Sequence, residues 1–172
     1  MSGRSVDPAA AVGLTYSLLM RQLLTRGRVL ALIAVGLGVM LVAWAVGASD
    51  DIDDRLEAAV GVIAGLGFGT VVPIVSLVFA SASLGDPRED GTLVYLWLRP
   101  IDRWPVVVGA WLASLTAALP VTLVPLAAGA VLSRGGSELV SATVIAGIVG
   151  IVAYTALFVL LGLLVKNAIV WG

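Results

Sequence analysis

Four stretches of this sequence contain no Asp, Glu, Lys or Arg, and they constrain the fold more than any other feature does. They cover residues 29–49, 58–85, 104–133 and 139–165. A helix rises about 1.5 Å per residue, so each stretch is long enough to cross the roughly 30 Å of hydrocarbon in a bilayer. Lipid offers the backbone no hydrogen-bond partners, which leaves helices as the suitable structure for such segments. The pattern predicts an all-α protein, a polytopic bundle of transmembrane helices.

The composition excludes several kinds of chemistry. Hydrophobic residues make up 60% of the 172 residues and charged residues only 12%, which is more apolar than a soluble domain. Histidine and cysteine are absent, and these residues supply the commonest metal ligands and the commonest general base. The sequence also lacks a GxxxxGK[ST] motif for nucleotide phosphates. We therefore expect no catalytic residue, metal ligand or bound cofactor in this chain, and the net charge of -1 gives no reason to expect a nucleic-acid partner.

The N-terminal segment, residues 1–28, precedes the first apolar stretch. Within it, residues 12–24 are moderately apolar and include Tyr16 and Arg21, and Arg26 and Arg28 follow closely. Basic residues beside an apolar helix are typical of a helix that lies in the membrane interface. A cleaved signal peptide is the alternative, since basic residues precede an apolar run, but the run 29–49 is longer than the roughly 7–15 residues of a signal peptide's apolar region. We expect an uncleaved amphipathic interfacial helix.

The basic residues predict the orientation of the chain. One side of the predicted bundle holds eight of the ten: Arg4, Arg21, Arg26, Arg28, Arg88, Arg99, Arg103 and Lys166. The other side holds only Arg55 and Arg134. Because cytoplasmic loops are enriched in Lys and Arg, the sequence predicts a cytoplasmic N-terminus and cytoplasmic segments at 86–103 and 166–172. Residues 166–172 are interpreted as a cytoplasmic turn and the possible start of a fifth span, and the chain is expected in the plasma or inner membrane.

An acidic outer loop, residues 50–57, is predicted between the first two spans, and a short outer turn, 134–138, between the last two. The loop contains Asp50, Asp51, Asp53, Asp54 and Glu57. Carboxylates of this kind can bind a divalent cation, but a run of like charges is more often a solvated segment. We therefore predict a solvated loop without a metal site.

The segment 86–103 between the second and third spans differs in character from the rest of the chain. Asp86 is a suitable helix cap, Pro87 suits the first helical position, and Glu89 completes a capping box. A short helix is predicted to begin at Asp86, to carry large apolar side chains, and to end before Pro100. By its residues alone, this helix could rest at the headgroup level, as Tyr95 and Trp97 commonly do, or could bind a cytoplasmic partner.

The order of residues in this segment resembles a known cytoplasmic loop. Arg88, Glu89, Asp90, Gly91, Thr92 and Leu93 are followed by Pro100, Ile101 and Arg103. This run is similar to the loop of the type-2 permease family of ATP-binding-cassette (ABC) transporters, and the helix order before it also agrees. Family permeases usually have six spans, whereas this sequence shows four.

The resemblance implies the membrane-spanning permease subunit of an ATP-driven exporter. The loop would contain the coupling helix, which contacts a separate ATPase subunit, and ATP and Mg would bind to that partner. A second copy of the chain or a related permease would complete the transporter in the bilayer. The residues implied at the ATPase contact are Arg88, Glu89, Thr92, Leu93, Leu96, Pro100 and Arg103. The alternative is a membrane scaffold or anchor that does not transport and that recruits a cytoplasmic partner through the same loop helix.

Small residues form two ridges at four-residue spacing, which indicates close approach of helices. The first ridge is Gly61, Gly65 and Gly69 in the second span, and the second is Ala142, Ala146 and Gly150 in the fourth. Pro120 and Pro125 predict a kink in the third span.

The spans contain hydroxyl side chains but no charged ones. Without an intramembrane charge, an ion channel or ion-coupled carrier is disfavoured. The hydroxyls could line a path for a hydrophobic or amphipathic cargo, although most are expected to bond to their own helix. They are Thr70, Ser76, Ser81, Thr116, Thr122, Ser141, Thr143, Tyr154 and Thr155.

Overall fold

The apolar stretches fold as helices, and each helix begins before the first residue of the uncharged stretch that predicted it. The structure, a computed structural model, describes residues 8–48, 52–89 and 103–169, and all regular structure within those ranges is helical. Four helical segments are long and apolar enough to cross a membrane: Arg26–Gly47, Asp54–Ser83, Trp104–Leu132 and Gly136–Gly162. The prediction of an all-α multi-pass membrane protein is therefore confirmed.

The described residues form the following elements in chain order. They are α1 (Pro8–Leu23), α2 (Arg26–Gly47), α3 (Ile52–Val62), a π-helical segment (Ile63–Val71), α4 (Val72–Glu89), α5 (Arg103–Leu132) and α6 (Gly136–Ile169). The elements α3, the π segment and α4 follow one another without a break and make up the second span.

Helix α5 lies at the centre of the bundle. Helices α1, α2, α4 and α6 all pack on it, and α4 also packs on α6. The second span runs antiparallel to α5, since Gly67 lies on Leu126 whereas the later residue Phe79 lies on the earlier residue Ser114. Helix α2 runs parallel to α5, since Gly36 lies on Pro125 and Gly47 on Leu132. Helix α6 returns along α5 after the short connection at residues 133–135 and packs on it. We call the end where α4 stops and α5 begins the loop end, and the end with the α5–α6 connection the turn end.

The second span changes its hydrogen-bond pattern in the middle. The nine residues Ile63–Val71 are π-helical, and the last of their bonds joins the N–H of Val72 to the carbonyl of Gly67. The next donor would be Pro73, which has no N–H, and its ring would clash with a carbonyl one α-helical turn earlier. The wider π turns ahead of Pro73 provide room for that ring, and the proline ends the π pattern.

The π segment also keeps one row of side chains facing the core. Every fourth residue of the second span is buried: Ala59, Ile63, Gly67, Val71, Val75, Phe79 and Ser83. In a straight α-helix, residues four apart drift by about 40° at each step, because a turn takes 3.6 residues. A turn closed by i→i+5 bonds takes more than four residues, so the drift runs the other way. The π segment therefore corrects the phase of the row.

Three segments that were predicted as a loop or turns are partly helical. Residues 52–57 of the expected acidic loop are helical and open α3. Residues 136–138 of the predicted outer turn belong to α6, which continues through 166–169 of the expected cytoplasmic turn. Absence of charge marks where a chain can enter hydrocarbon, but charged residues also form helices, and acidic ones are favoured in a first turn.

The structure contradicts the predicted start of a short helix at Asp86. Helix α4 passes through Asp86 and Pro87 and ends at Glu89. A proline near the end of a helix removes a single backbone bond, and the segment before it is already helical. The capping pattern therefore coincides with the last turn of a long helix.

Candidate functional site

The loop that resembles an ATPase contact is attached to the ends of two long helices. Arg88 and Glu89 are the last residues of α4, and Arg103 is the first residue of α5. The other four predicted contact residues, Thr92, Leu93, Leu96 and Pro100, lie outside the described residues. Among the described residues, α4 and α5 are therefore the helices that lead into the loop segment.

The two helices that carry the loop are joined directly. The single proton of the Ser114 hydroxyl on α5 is shared between two backbone carbonyls, that of Phe79 on α4 at 3.2 Å and that of Ala110 on its own helix at 2.9 Å. Phe79, Ala110 and Ser114 are completely buried. Small side chains on α5 allow the close approach that this bond requires. The attachment points of the loop therefore belong to one packed pair of helices.

Helix α1 braces the same end of the bundle. At Gly109, six residues into α5, a Cβ atom would lie 2.9 Å from Cβ of Thr15 and 3.2 Å from the carbonyl oxygen of Val12. The face of α1 that contains Ala11, Leu19 and Leu23 is buried. Helix α1 thus packs on α5 immediately beyond the start of that helix, so the loop end is held by three helices.

Helix α1 also exposes apolar side chains. Leu14 and Leu18 are each more than 60% exposed, and Arg21 and Arg26 are exposed beyond them. An exposed leucine pair followed by arginines fits a helix with its outer side in lipid and its charges among headgroups. The predicted N-terminal helix is present, from Pro8 to Leu23.

The first small-residue ridge does not pack against the described part of this chain. Gly61, Gly65 and Gly69 are exposed, and a Cβ atom at Gly61 or Gly65 would meet nothing within 4 Å. The glycine that does pack is Gly67, between two ridge members, where a Cβ atom would lie 2.6 Å from Cδ2 of Leu126. The four-residue spacing identified small residues of the second span, but these residues lie on its exposed face and not on the face that packs on α5.

The second ridge is divided. Ala142 and Ala146 are exposed. At Gly150 a Cβ atom would be in ordinary contact with Val72, 3.6 Å from its Cγ1. Of the six ridge residues, Gly150 is the one that contacts another helix among the described residues.

Close helix contacts occur instead at glycines outside both ridges. At Gly36 a Cβ atom would lie 2.9 Å from Cγ of Pro125, and at Gly147 it would lie 2.7 Å from Cδ1 of Leu123. Gly47 lies against the carbonyl oxygen of Leu132. Pro125, predicted to kink the third span, lies within the continuous helix α5 and packs its ring on α2. Spacing on one helix cannot reveal such pairs, because each depends on a residue of another helix.

The hydroxyl side chains do not share one surface. Thr70, Ser81, Thr116 and Ser141 are exposed, whereas Ser76, Thr122, Thr143 and Thr155 are buried. Most of them bond to their own helix, as in the 2.6 Å bond from Thr155 to the Ile151 carbonyl and the 2.7 Å bond from Thr143 to Leu139. Such bonds satisfy the hydroxyl locally. Within the described bundle the hydroxyls are therefore divided between exposed and buried positions.

Two buried hydroxyls are exceptions. The oxygens of Ser76 and Thr122 are fully buried and have no hydrogen-bond partner among the described residues. Among the described residues, no three acidic side chains lie close enough together to hold a metal ion.

Comparisons of the chain with models of known protein families, with characterised proteins and with solved structures give no match.

Proposed function

We propose that this chain is the membrane-spanning permease subunit of an ATP-driven exporter, with ATP hydrolysis on a separate cytoplasmic subunit. The proposal rests mainly on the loop residues from Glu89 to Arg103, whose order resembles the coupling loop of type-2 ABC permeases. The N-terminus and this loop would face the cytoplasm at the plasma or inner membrane, as the eight basic residues on that side favour.

The construction of the loop end supports this role. A lever that transmits movement from an ATPase must be held at both ends by elements that move together. Glu89 and Arg103 are the described residues on either side of the loop segment, and the Ser114 hydroxyl on α5 contacts the Phe79 carbonyl on α4. A push on the loop would reach α4 and α5 together.

The character of the spans suggests the class of cargo. Within the described spans no Asp, Glu, Lys or Arg lies between Ala58 and Ser83 or between Trp104 and Leu132. An inorganic ion or a strongly charged solute would find no compensating charge there. A hydrophobic or amphipathic molecule is the cargo that such a surface accommodates, with a second copy of the chain or a related permease forming the other half of the path.

The bonding of the hydroxyls favours the second candidate, a membrane scaffold that does not transport. Thr143 and Thr155 direct their hydroxyls to their own helices, as expected for a closed structural bundle. In that case the loop would bind a cytoplasmic protein and would not take part in a transport cycle.

Co-purification from the source membrane in mild detergent tests the proposal. We expect an ATPase with a Walker motif to accompany the native chain and to be lost from a variant with Glu89→Ala and Leu93→Asp. Glu57→Ala is the matched control, because Glu57 is an exposed glutamate at the start of the second span, far from the loop.

Turnover of ATP distinguishes the two candidates. When the native chain is reconstituted with the captured ATPase, the rate at which the ATPase hydrolyses magnesium ATP should rise. The loop variant should not raise that rate. Capture of an ATPase whose turnover does not respond to the chain would favour the scaffold. If neither form captures an ATPase, the permease proposal is wrong.

A further inference from the structure

We infer that the π segment Ile63–Val71 is a hinge about which α3, the half of the second span nearest the turn end, swings against the rest of the bundle. The inference concerns this chain alone and goes beyond the proposed function, since it holds whether or not the loop binds an ATPase.

The two halves of the second span pack on different partners. Helix α4 packs on α5 and α6 and also touches α1, whereas α3 packs on α2 and has no comparable contact with α5 or α6 among the described residues. Within the described side chains of α3, only Ala59 is buried. Within the described residues, α4 is therefore packed between several helices, whereas α3 packs mainly on α2.

The π segment between the two halves contacts α5 on its inner side. Gly67 lies against Leu126, with a Cβ atom 2.6 Å from Cδ2, and Ile63 approaches Gly129, whose Cβ atom would lie 3.7 Å from Cδ1 of Ile63. These contacts hold the inner face of the π segment on α5. Movement of α3 would pivot about this line of contact.

The outer side of the π segment leaves room for bending. Gly65 and Gly69 flank Gly67 at a distance of two residues and are exposed. A Cβ atom at Gly65 would meet nothing within 4 Å, and one at Gly69 would meet only the Ala64 carbonyl at 3.5 Å. Glycine gives the backbone more freedom than any other residue, and these positions carry no side chain that would resist closure of the outer face.

The hydrogen bonds of the segment are suited to the same movement. The i→i+5 bonds end where Pro73 removes the next donor. Kinks in helices occur at prolines and at π bulges, and π segments are frequent at functional sites. Here a π segment and a proline are adjacent in the second span, and the π segment contains three alternating glycines.

Distances between paired spin labels test the hinge, because the chain has no cysteine and introduced pairs are unique. The reporter pair is Glu57→Cys on α3 with Glu138→Cys on α6, and the reference pair is Ser81→Cys on α4 with Leu160→Cys on α6. All four positions are exposed. Measurements use the full chain in nanodiscs of phosphatidylcholine and phosphatidylglycerol.

We expect a broader distance distribution for the reporter pair than for the reference pair. Gly65→Ala with Gly69→Ala should narrow the reporter distribution to that of the reference pair and leave the reference pair unchanged. The matched control is Gly38→Ala with Gly61→Ala, the same change at two open helical positions outside the π segment, and it should not narrow the distribution. If the double alanine variant loses its helical circular dichroism, Gly65→Ala alone replaces it and should narrow the distribution in part.

Three results would overturn the hinge. One is a native reporter distribution as narrow as the reference. Another is a broad distribution that the π-segment alanines leave unchanged. The third is equal narrowing by the control alanines, which would place the flexibility outside the π segment.

Discussion

Gly47, the last residue of α2, lies directly against the carbonyl oxygen of Leu132, the last residue of α5, and a Cβ atom at Gly47 would also come within 3.1 Å of Cα of Ser133. Both neighbours are backbone atoms, which cannot rotate away as the end of a side chain can. The contact fixes the turn ends of two parallel helices.

Gly47→Ala should therefore lower the free energy of unfolding by about 1–3 kcal/mol, the usual cost of overpacking. Gly38→Ala is the control on the same helix, where a Cβ atom would meet nothing within 4 Å. Its effect should be neutral or slightly stabilising, because alanine favours helices. Unfolding by dodecyl sulfate in mixed micelles measures both, and equal effects would show that the contact is unimportant.

Gly109→Ala should loosen α1 from the bundle without unfolding the spans. The added methyl group would lie 2.9 Å from Cβ of Thr15, so α1 must move outward. We expect faster amide hydrogen exchange in α1 and unchanged exchange in α6. Gly13→Ala, at an open position on α1 itself, is the control, and similar exchange in the two variants would contradict this account of how α1 is held.

Ser114→Ala should cost about 0.6 kcal/mol of unfolding free energy, the average for a hydrogen bond between membrane helices. It removes the 3.2 Å bond to the Phe79 carbonyl. Thr116→Ala removes a hydroxyl that bonds only within its own helix, to Leu112 over 2.7 Å, and should cost less. A larger loss at Thr116 than at Ser114 would mean that the interhelical bond does not stabilise the α4–α5 pair.

Thr122→Val should raise the unfolding free energy by about 1 kcal/mol, because a buried hydroxyl without a partner is costly and valine has nearly the same shape. The Thr122 oxygen finds no partner within the described residues. Thr155→Val tests the reverse case, since Thr155 donates to Ile151 over 2.6 Å, and it should not be stabilising. A loss of stability at Thr122 would indicate that its hydroxyl is hydrogen bonded in the membrane.

The helices that cross the membrane follow directly from the sequence. Their uncharged stretches exceed the thickness of the hydrocarbon, and lipid leaves the backbone no alternative to a helix. The ends of the helices do not follow in the same way, as Asp54 and Glu57 inside α3 illustrate. Charge reports the depth at which a residue can lie, whereas a helix ends where its backbone bonds end.

The loop residues of the candidate site could be found in the sequence because their order along the chain carries the resemblance. The packing residues could not. Gly61 and Gly65 satisfy the spacing rule and face outward, whereas Gly67 and Gly47 satisfy no rule and lie in close contacts. A glycine is required where a second helix makes close contact. The residues around that glycine in the sequence do not indicate where the second helix packs.

Sequence alone thus determined that this protein is a helical membrane protein, because hydropathy and length act locally along each segment. Tertiary structure alone decided that α5 is central, that Gly67 rather than Gly65 faces Leu126, and that the second span passes through a π segment. The physical reason for the π segment is that a row of buried residues at every fourth position does not stay on one face of an α-helix with 3.6 residues per turn. Only the surrounding helices show which face must remain buried.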